Sequence, residues 1–290
     1  ARVISMITPP QLLPVTEIRD IAKGLASPHR VLIIAGFHRP DYKLNRALIR
    51  LASHPNIAVM TESISNLHSP MFINRIDSTL CRLPDSDKET LRPDTVITLG
   101  GAIVSRHIKE WLRNLPGLNH WHVGVSHTTV DCFKHLTTRI NMDATPFMSQ
   151  LASAMNRHKG ESGYSRLWHE AAKRAADIHD RYIANVPWSD LKAMAYIFSH
   201  IPRSWNLHLS NGTPIRYAQL MDRMNIHRSE CNRGVSGIDG CTSTALGSAA
   251  LFSGVTLLIS GDMSFQYDIS ALSSTLLSPR FKMIVICNGG

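Results

Sequence analysis

Apolar residues in this chain gather into short unbroken runs, separated by stretches in which they recur every three or four positions. RVLIIAGF (30–37) and TVITLGG (95–101) are apolar runs that end in glycine, and NIAVMTE (56–62) and HWHVGV (120–125) are weaker versions of the same pattern. Between them, 42–53 sets Leu44, Ala47, Leu48 and Leu51 on one helical face, and 104–114 does the same with Ile108, Trp111 and Leu112. A parallel strand covered by helices on both faces reads as a continuous apolar run, so this β-α-β-α order predicts a doubly wound parallel sheet. No GxGxxG follows any of the strands. The pair Gly100-Gly101 predicts a tight strand-to-helix turn rather than a phosphate loop.

The polar, glycine-containing stretch RHKGESGYS predicts a boundary near 156–164. It divides the chain into a first unit, 1–157, and a second, 164–290. A long amphipathic helix over 165–183 opens the second unit, followed by a helix over 189–200. From Trp205 the order is the strand WNLHLS, the segment NGTPIRYAQLMDRM, the glycine-rich NRGVSGIDG and the helix CTSTALGSAALFSG. Two further apolar segments, 256–260 and 283–287, read as buried parallel strands. The fold expected is α/β, with two Rossmann-like doubly wound parallel sheets. The second is expected to be truncated, because the chain stops after a strand with no helix to cover it.

Composition narrows the function without naming it. The 43% hydrophobic and 18% charged content describes an ordinary chain with an ample core. No apolar run reaches the ~18–20 residues of a membrane helix, and ARVISMITPPQLLP has no secretory pattern, so membrane insertion is not expected. Five cysteines without CxxC spacing argue for a reduced, cytoplasmic protein. The net charge of +9 is scattered, with no aromatic-interleaved basic stretch; this disfavours nucleic acid and favours anionic small molecules as partners. The 15 histidines are dispersed. His107, His120, His122 and His127 form the densest group, for which a structural or surface role is the better reading.

Candidate chemistry sits in the second unit. RGVSGIDG (233–240) packs three glycines into eight residues just before a helix, an arrangement that lets backbone N–H groups approach an anion. Thr242, Ser243 and Thr244 add hydroxyls in the first helical turn. Alone, this is an ordinary loop capped by Asp239. GDM and CNGG change the balance. If their strands are neighbours, Asp262 and Asn288 stand side by side at a sheet edge where open α/β folds present ligands. A carboxylate and an amide oxygen suit a hard divalent cation whose other ligands are water and phosphate.

The string GDMS followed by Asn288, with NRGVSGIDGCTSTALG before it, resembles the metal–diphosphate motif of thiamine-diphosphate-dependent enzymes. Within that family it is most similar to the synthases that join 2-oxoglutarate to isochorismate in menaquinone biosynthesis. The close match covers roughly 210–290, and the earlier region agrees with that family's middle domain in order and character. The resemblance implies a transferase that decarboxylates 2-oxoglutarate and adds the succinyl carbanion to isochorismate. It implies thiamine diphosphate with Mg2+ or Mn2+ as cofactors, and a homodimer or homotetramer. Asp262, Asn288 and the backbone carbonyl of Gly290 would hold the metal. Gly261, Met263 and Ser264 would border the diphosphate, Ser236, Gly237 and Asp239 would line the cofactor, and Ile238 would be the apolar wedge beneath it. Arg216 and Arg233, with Arg106 and Gly212, would meet the anionic substrates, arginine being suited to bidentate carboxylate binding.

The sequence departs from that pattern at three places. Gly212 stands where the family commonly has serine, and Arg106-His107 where a Lys-Arg pair is frequent. The family's pyrimidine-binding domain, which supplies the activating glutamate, is not in this sequence; neither Glu62 nor Glu110 lies in a matching motif. The chain therefore reads as a middle domain plus part of the diphosphate-binding domain, with no catalytic residue of its own and no expected activity alone. The alternatives are another thiamine-diphosphate 2-oxo acid decarboxylase or acetohydroxyacid synthase, or a non-catalytic anion-binding fragment.

Overall fold

In a computed structural model, the described residues are 12–26, 28–125, 131–155, 163–221 and 226–288. In chain order the first unit runs α1 (Val15–Gly24), β1 (Val31–Ala35), α2 (Tyr42–Ala52), β2 (Ile57–Thr61), α3 (Ile76–Cys81), α4 (Asp85–Thr90), β3 (Thr95–Leu99), α5 (Arg106–Arg113), β4 (Asn119–Val123), β5 (Leu136–Ile140) and α6 (Ala144–Ala154). Helices α7 (Tyr164–Asn185) and α8 (Asp190–His200) follow. Then come β6 (Asn206–Leu209), α9 (Thr213–Ala218), β7 (Arg228–Cys231), α10 (Cys241–Leu251), β8 (Thr256–Gly261), α11 (Asp262–Tyr267) and β9 (Phe281–Ile286), with a 3-10 turn at Ile269–Ser273 between the last two. All pairings are parallel, in a five-stranded sheet ordered β2-β1-β3-β4-β5 and a four-stranded sheet ordered β7-β6-β8-β9. Two parallel α/β sheets are thus present, as expected.

The unbroken apolar runs follow from two-sided burial. Along β1, Val31, Ile33 and Ala35 enter the core beneath α1, α2 and α6, while Leu32 and Ile34 enter the opposite core with α5 and α7. In the second sheet, Leu207, Leu209, Leu257 and Ile259 pack with Met194 of α8 and Ile215 of α9, whereas Leu258 faces Ala245, Leu246 and Ala249 of α10. Strands β5 and β7 escaped the sequence reading because they lie at sheet edges and are largely polar, LTTRI and RSEC. Strand β9 is the other edge of the second sheet among the described residues. Only Phe281 is fully buried there, and Met283 to Ile286 are half-buried.

Helix α7, expected to open the second unit, instead applies its first half to the first sheet. Tyr164, Trp168 and Ala171 complete the core around Leu32 and Ile34, and the Ser165 N–H bonds the Pro55 carbonyl at 2.9 Å. The two units are joined by side chains as well as by the chain. Asn66 exchanges bonds with the Ser229 backbone, at 2.9 and 2.7 Å, and Gln219 accepts the Ser63 N–H at 3.2 Å while donating to the Ser63 hydroxyl. Ile64 and Val104 of the first unit belong to the same core cluster as Leu207 and Ile259 of the second. Among the described residues, no helix is long and apolar enough to cross a membrane.

Candidate functional site

The second sheet determines where a ligand can sit. The chain leaves β6 toward β7, then crosses back to place β8 on the other side of β6. Connections diverge at that point, the place where open α/β sheets present ligands beyond the C-terminal ends of their strands. The residues there are Ser210, Asn211 and Gly212 after β6, and Gly261 with Asp262 at the end of β8. Neighbouring β9 delivers Asn288. Its last paired residue, Ile286, lies opposite Gly261, so Asp262 is one residue and Asn288 two residues beyond the final rung.

Their side chains have partners. The Asp262 carboxylate accepts its neighbour's Met263 N–H at 2.8 Å, and the Asn288 amide donates to Asp190 on α8 at 2.8 Å. Among the described residues, no three His, Cys, Asp or Glu side chains converge as a metal cluster. A cation at this edge would rely on one carboxylate, an amide oxygen and backbone carbonyls, the hard oxygen set that suits Mg2+. Gly290, the expected carbonyl ligand, lies outside the described residues, as does His127.

The glycine-rich loop is held from beneath by a residue the sequence reading passed over. Asn211 is buried; its amide donates to the carbonyls of Asn232 and Gly237 at 2.6 and 2.7 Å, and its oxygen accepts from Arg233 at 2.8 Å. Ser236 adopts φ 62, a conformation unusual for a side-chain-bearing residue, and Gly240 turns the chain into α10 at φ 65. Asp239 does not cap α10; the cap residue is Gly240, which has no side chain to offer. Asp268 does that work from the far end of α11, accepting the Ser243 N–H and hydroxyl, both at 2.6 Å. Ser264, expected beside a diphosphate, is buried and donates its hydroxyl to the Ile238 carbonyl at 2.6 Å, which ties the wedge residue to α11. Met263 is exposed at the rim.

The expected substrate arginines come together. Arg216 lies on α9, which starts from Gly212 at φ 94. A serine there would find open space around its Cβ but a backbone conformation that side-chain-bearing residues rarely adopt. Burial, followed by the charges of Arg106 and Arg233, lowers the pKa of Arg216, so Arg216 lies within electrostatic reach of both. Lys109 belongs to the same group. Burial lowers its pKa, the Glu62 charge opposes this, and Arg233 adds to it. Asp77 is the counter-charge, accepting from the Ser105 hydroxyl and lying 3.2 Å from the His107 ring.

Glu62, at the end of β2, is buried beneath this cluster. Its carboxylate accepts the Val104 N–H at 2.9 and 2.7 Å and the Ser105 N–H at 2.7 Å. Burial pushes the carboxyl up to about 7, against the pull of those bonds. A cavity of about 750 Å3 runs from the end of the first sheet to the glycine-rich loop, with Lys109, His120, His122, Arg139, Arg233 and Ser236 among its walls. His120 and His122 do share a strand face, but both rings bond the Thr98 hydroxyl, at 2.9 and 3.0 Å. Burial takes His120 down to about 4, so its ring is neutral at physiological pH and structural in character.

Comparison with curated proteins finds relatives along the whole chain. The chain is 35% identical over 297 residues to the 2-succinyl-5-enolpyruvyl-6-hydroxy-3-cyclohexene-1-carboxylate synthase of Porphyromonas gingivalis, an alignment covering 100% of this chain and 51% of the relative. Synthases of the same name from Flavobacterium johnsoniae and Flavobacterium psychrophilum are 36% and 37% identical, over 91% and 89% of this chain and 47% and 46% of their own lengths. Along nearly its whole length the chain is similar to one half of these synthases. It spans about half the length of the curated relatives it matches. No family model matches the chain.

The synthase-like chain places Asp262, Gly261, Gly212, Arg216, Arg233 and the 236–239 loop at one sheet edge, with Arg106 delivered from the first unit. Asn211, Asp268, Lys109 and Glu62 were not legible as site residues. Asn211 gave the one usable signal, as half of a polar doublet directly after an apolar strand.

Proposed function

We propose that this chain is the middle domain (1–157) and part of the cofactor-binding domain (164–290) of a thiamine-diphosphate-dependent synthase acting on 2-oxoglutarate and isochorismate in menaquinone biosynthesis. The observation that carries the reading is the β6/β8 switch point. That end of the sheet brings a carboxylate and a glycine-rich loop together, with the arginines alongside. The residues fit the cofactor. A Cβ added at Gly212, Gly234 or Gly261 would meet open space, so these three backbones leave room for a ligand beside them. Asp262 and Asn288, with the Gly290 carbonyl, would hold Mg2+ or Mn2+, and Gly261, Ser236 and Gly237 would border the diphosphate. When bound, thiamine diphosphate supplies the electron sink that a 2-oxo acid needs to lose carbon dioxide.

The chain's own part is binding and orientation. Arg216, Arg233 and Arg106 offer planar, permanently charged donors to dicarboxylate substrates; Asn211 fixes the direction of Arg233, and Ile238 is tied in place through its carbonyl. A homodimer or homotetramer in the cytoplasm belongs to the same reading. The test is calorimetry with thiamine diphosphate and Mg2+ on the wild-type chain and on Asp262→Ala. Binding that needs both the metal and Asp262 is expected; equal affinity in the two proteins rejects the site. In the full-length protein, 2-oxoglutarate decarboxylation with isochorismate present is expected, and its absence rejects the substrate assignment.

A further inference from the structure

We infer that Glu62 is a positioning residue for the arginine cluster, fixing the turn that launches α5 and thereby the placement of Arg106 and Lys109 against Arg216 and Arg233. The inference rests on the reading of that cluster as a carboxylate-binding site. Three observations support it. Both Glu62 oxygens are spent on the Val104 and Ser105 N–H groups, the last two residues before α5. Ser105 already caps α5 through its hydroxyl, which accepts the Ile108 N–H at 3.2 Å, so Glu62 is not needed to start the helix. What it adds is a tether from the end of β2 to the base of the helix. Finally, the charges of Glu62 and Arg233 both act on Lys109, so the carboxyl group lies within electrostatic reach of the cationic group.

Glu62 is buried, and both of its oxygens are taken up by the two backbone N–H groups rather than by solvent. Its position favours a role that needs rigidity. The charged groups facing Glu62 are Asp77 of α3 and Lys109 of α5. Asp77 holds Ser105 and His107 from the other side, so the first turn of α5 is gripped twice. A slack first turn would let Arg106 drift from Arg216 under their mutual repulsion.

The test uses the full-length protein with thiamine diphosphate and Mg2+, comparing wild type, Glu62→Gln and Glu62→Met. Glu62→Gln keeps an acceptor for both N–H groups, and KM for 2-oxoglutarate within about threefold of wild type is expected. Glu62→Met removes the acceptors and is expected to raise KM about tenfold with kcat per folded enzyme within about twofold, the signature of lost binding rather than lost chemistry. If Glu62→Met does not fold, Ser105→Ala loosens the same turn with Glu62 in place and is expected to raise KM about threefold. Succinate affinity by calorimetry gives a readout independent of turnover and should fall in step with the KM changes. If wild type fails to turn over but Glu62→Met still loses succinate affinity, the functional reading fails and Glu62 stands. A lowered melting temperature with unchanged KM and succinate affinity overturns the positioning role.

Discussion

At the residue scale, buried polar side chains rather than the motif residues hold the site together. Asn211 bonds two loop carbonyls and one arginine, and Glu62 bonds two backbone N–H groups. Glu62 also leaves a mark on stability. Its carboxyl has an ordinary value of 4.5 and is raised to about 7 in the folded chain, so the folded state holds a proton that the unfolded state releases first. The contribution is present below pH 4.5 and is lost as pH rises through 7. Urea unfolding between pH 5 and 7 should show stability falling in wild type, with a smaller slope in Glu62→Gln; identical slopes would assign the change to other groups.

At the scale of elements, the sequence was legible where burial is two-sided and silent where it is not. The runs that became β1, β3 and β8 are largely apolar because helices press on both faces, whereas β6 alternates Leu207 and Leu209 with buried Asn206 and His208. The edge strands β5 and β7 carry Thr, Arg, Ser and Glu and leave no such trace. Helix α6 was also missed, though its apolar face at Ala144, Phe147, Met148 and Leu151 is regular. The motif residues could be read because their spacing is carried by sequence alone; Asp268 could not, since it reaches α10 across 25 positions. The clamp gives a prediction for α10. Asp268→Asn weakens the charge-assisted bonds to Ser243 and should cost about 1–3 kcal/mol in urea unfolding, with thiamine diphosphate affinity reduced as the loop before α10 loosens. A loss below about 0.5 kcal/mol would mean that Gly240 alone sets the helix start.

At the scale of the whole molecule, the two units share a core and a hydrogen-bonded seam. Asn66 donates to and accepts from the Ser229 backbone while adopting φ 55, a conformation asparagine tolerates better than most residues. Asn66→Ala should lose about 2 kcal/mol, leaving the Ser229 N–H without its acceptor and adding backbone strain. Asn66→Gly should lose less, because the strain is absent. Calorimetric scans that show equal losses would place the whole effect in the seam bonds. The seam also explains why Arg106, from one sheet, can meet Arg216 and Arg233, from the other.

Among the described residues β9 pairs on one side only, with β8, and this has a practical consequence. An edge strand offers its outer backbone groups to any extended segment that approaches. Leu276 and Leu277, both about half exposed, sit just upstream. With the outer side of β9 unpaired among the described residues, concentrated protein of this length is expected to add strands from its own kind, and light scattering should grow with protein concentration. A charged substitution at Leu277 is a direct remedy: it would improve keeping quality without touching the candidate site.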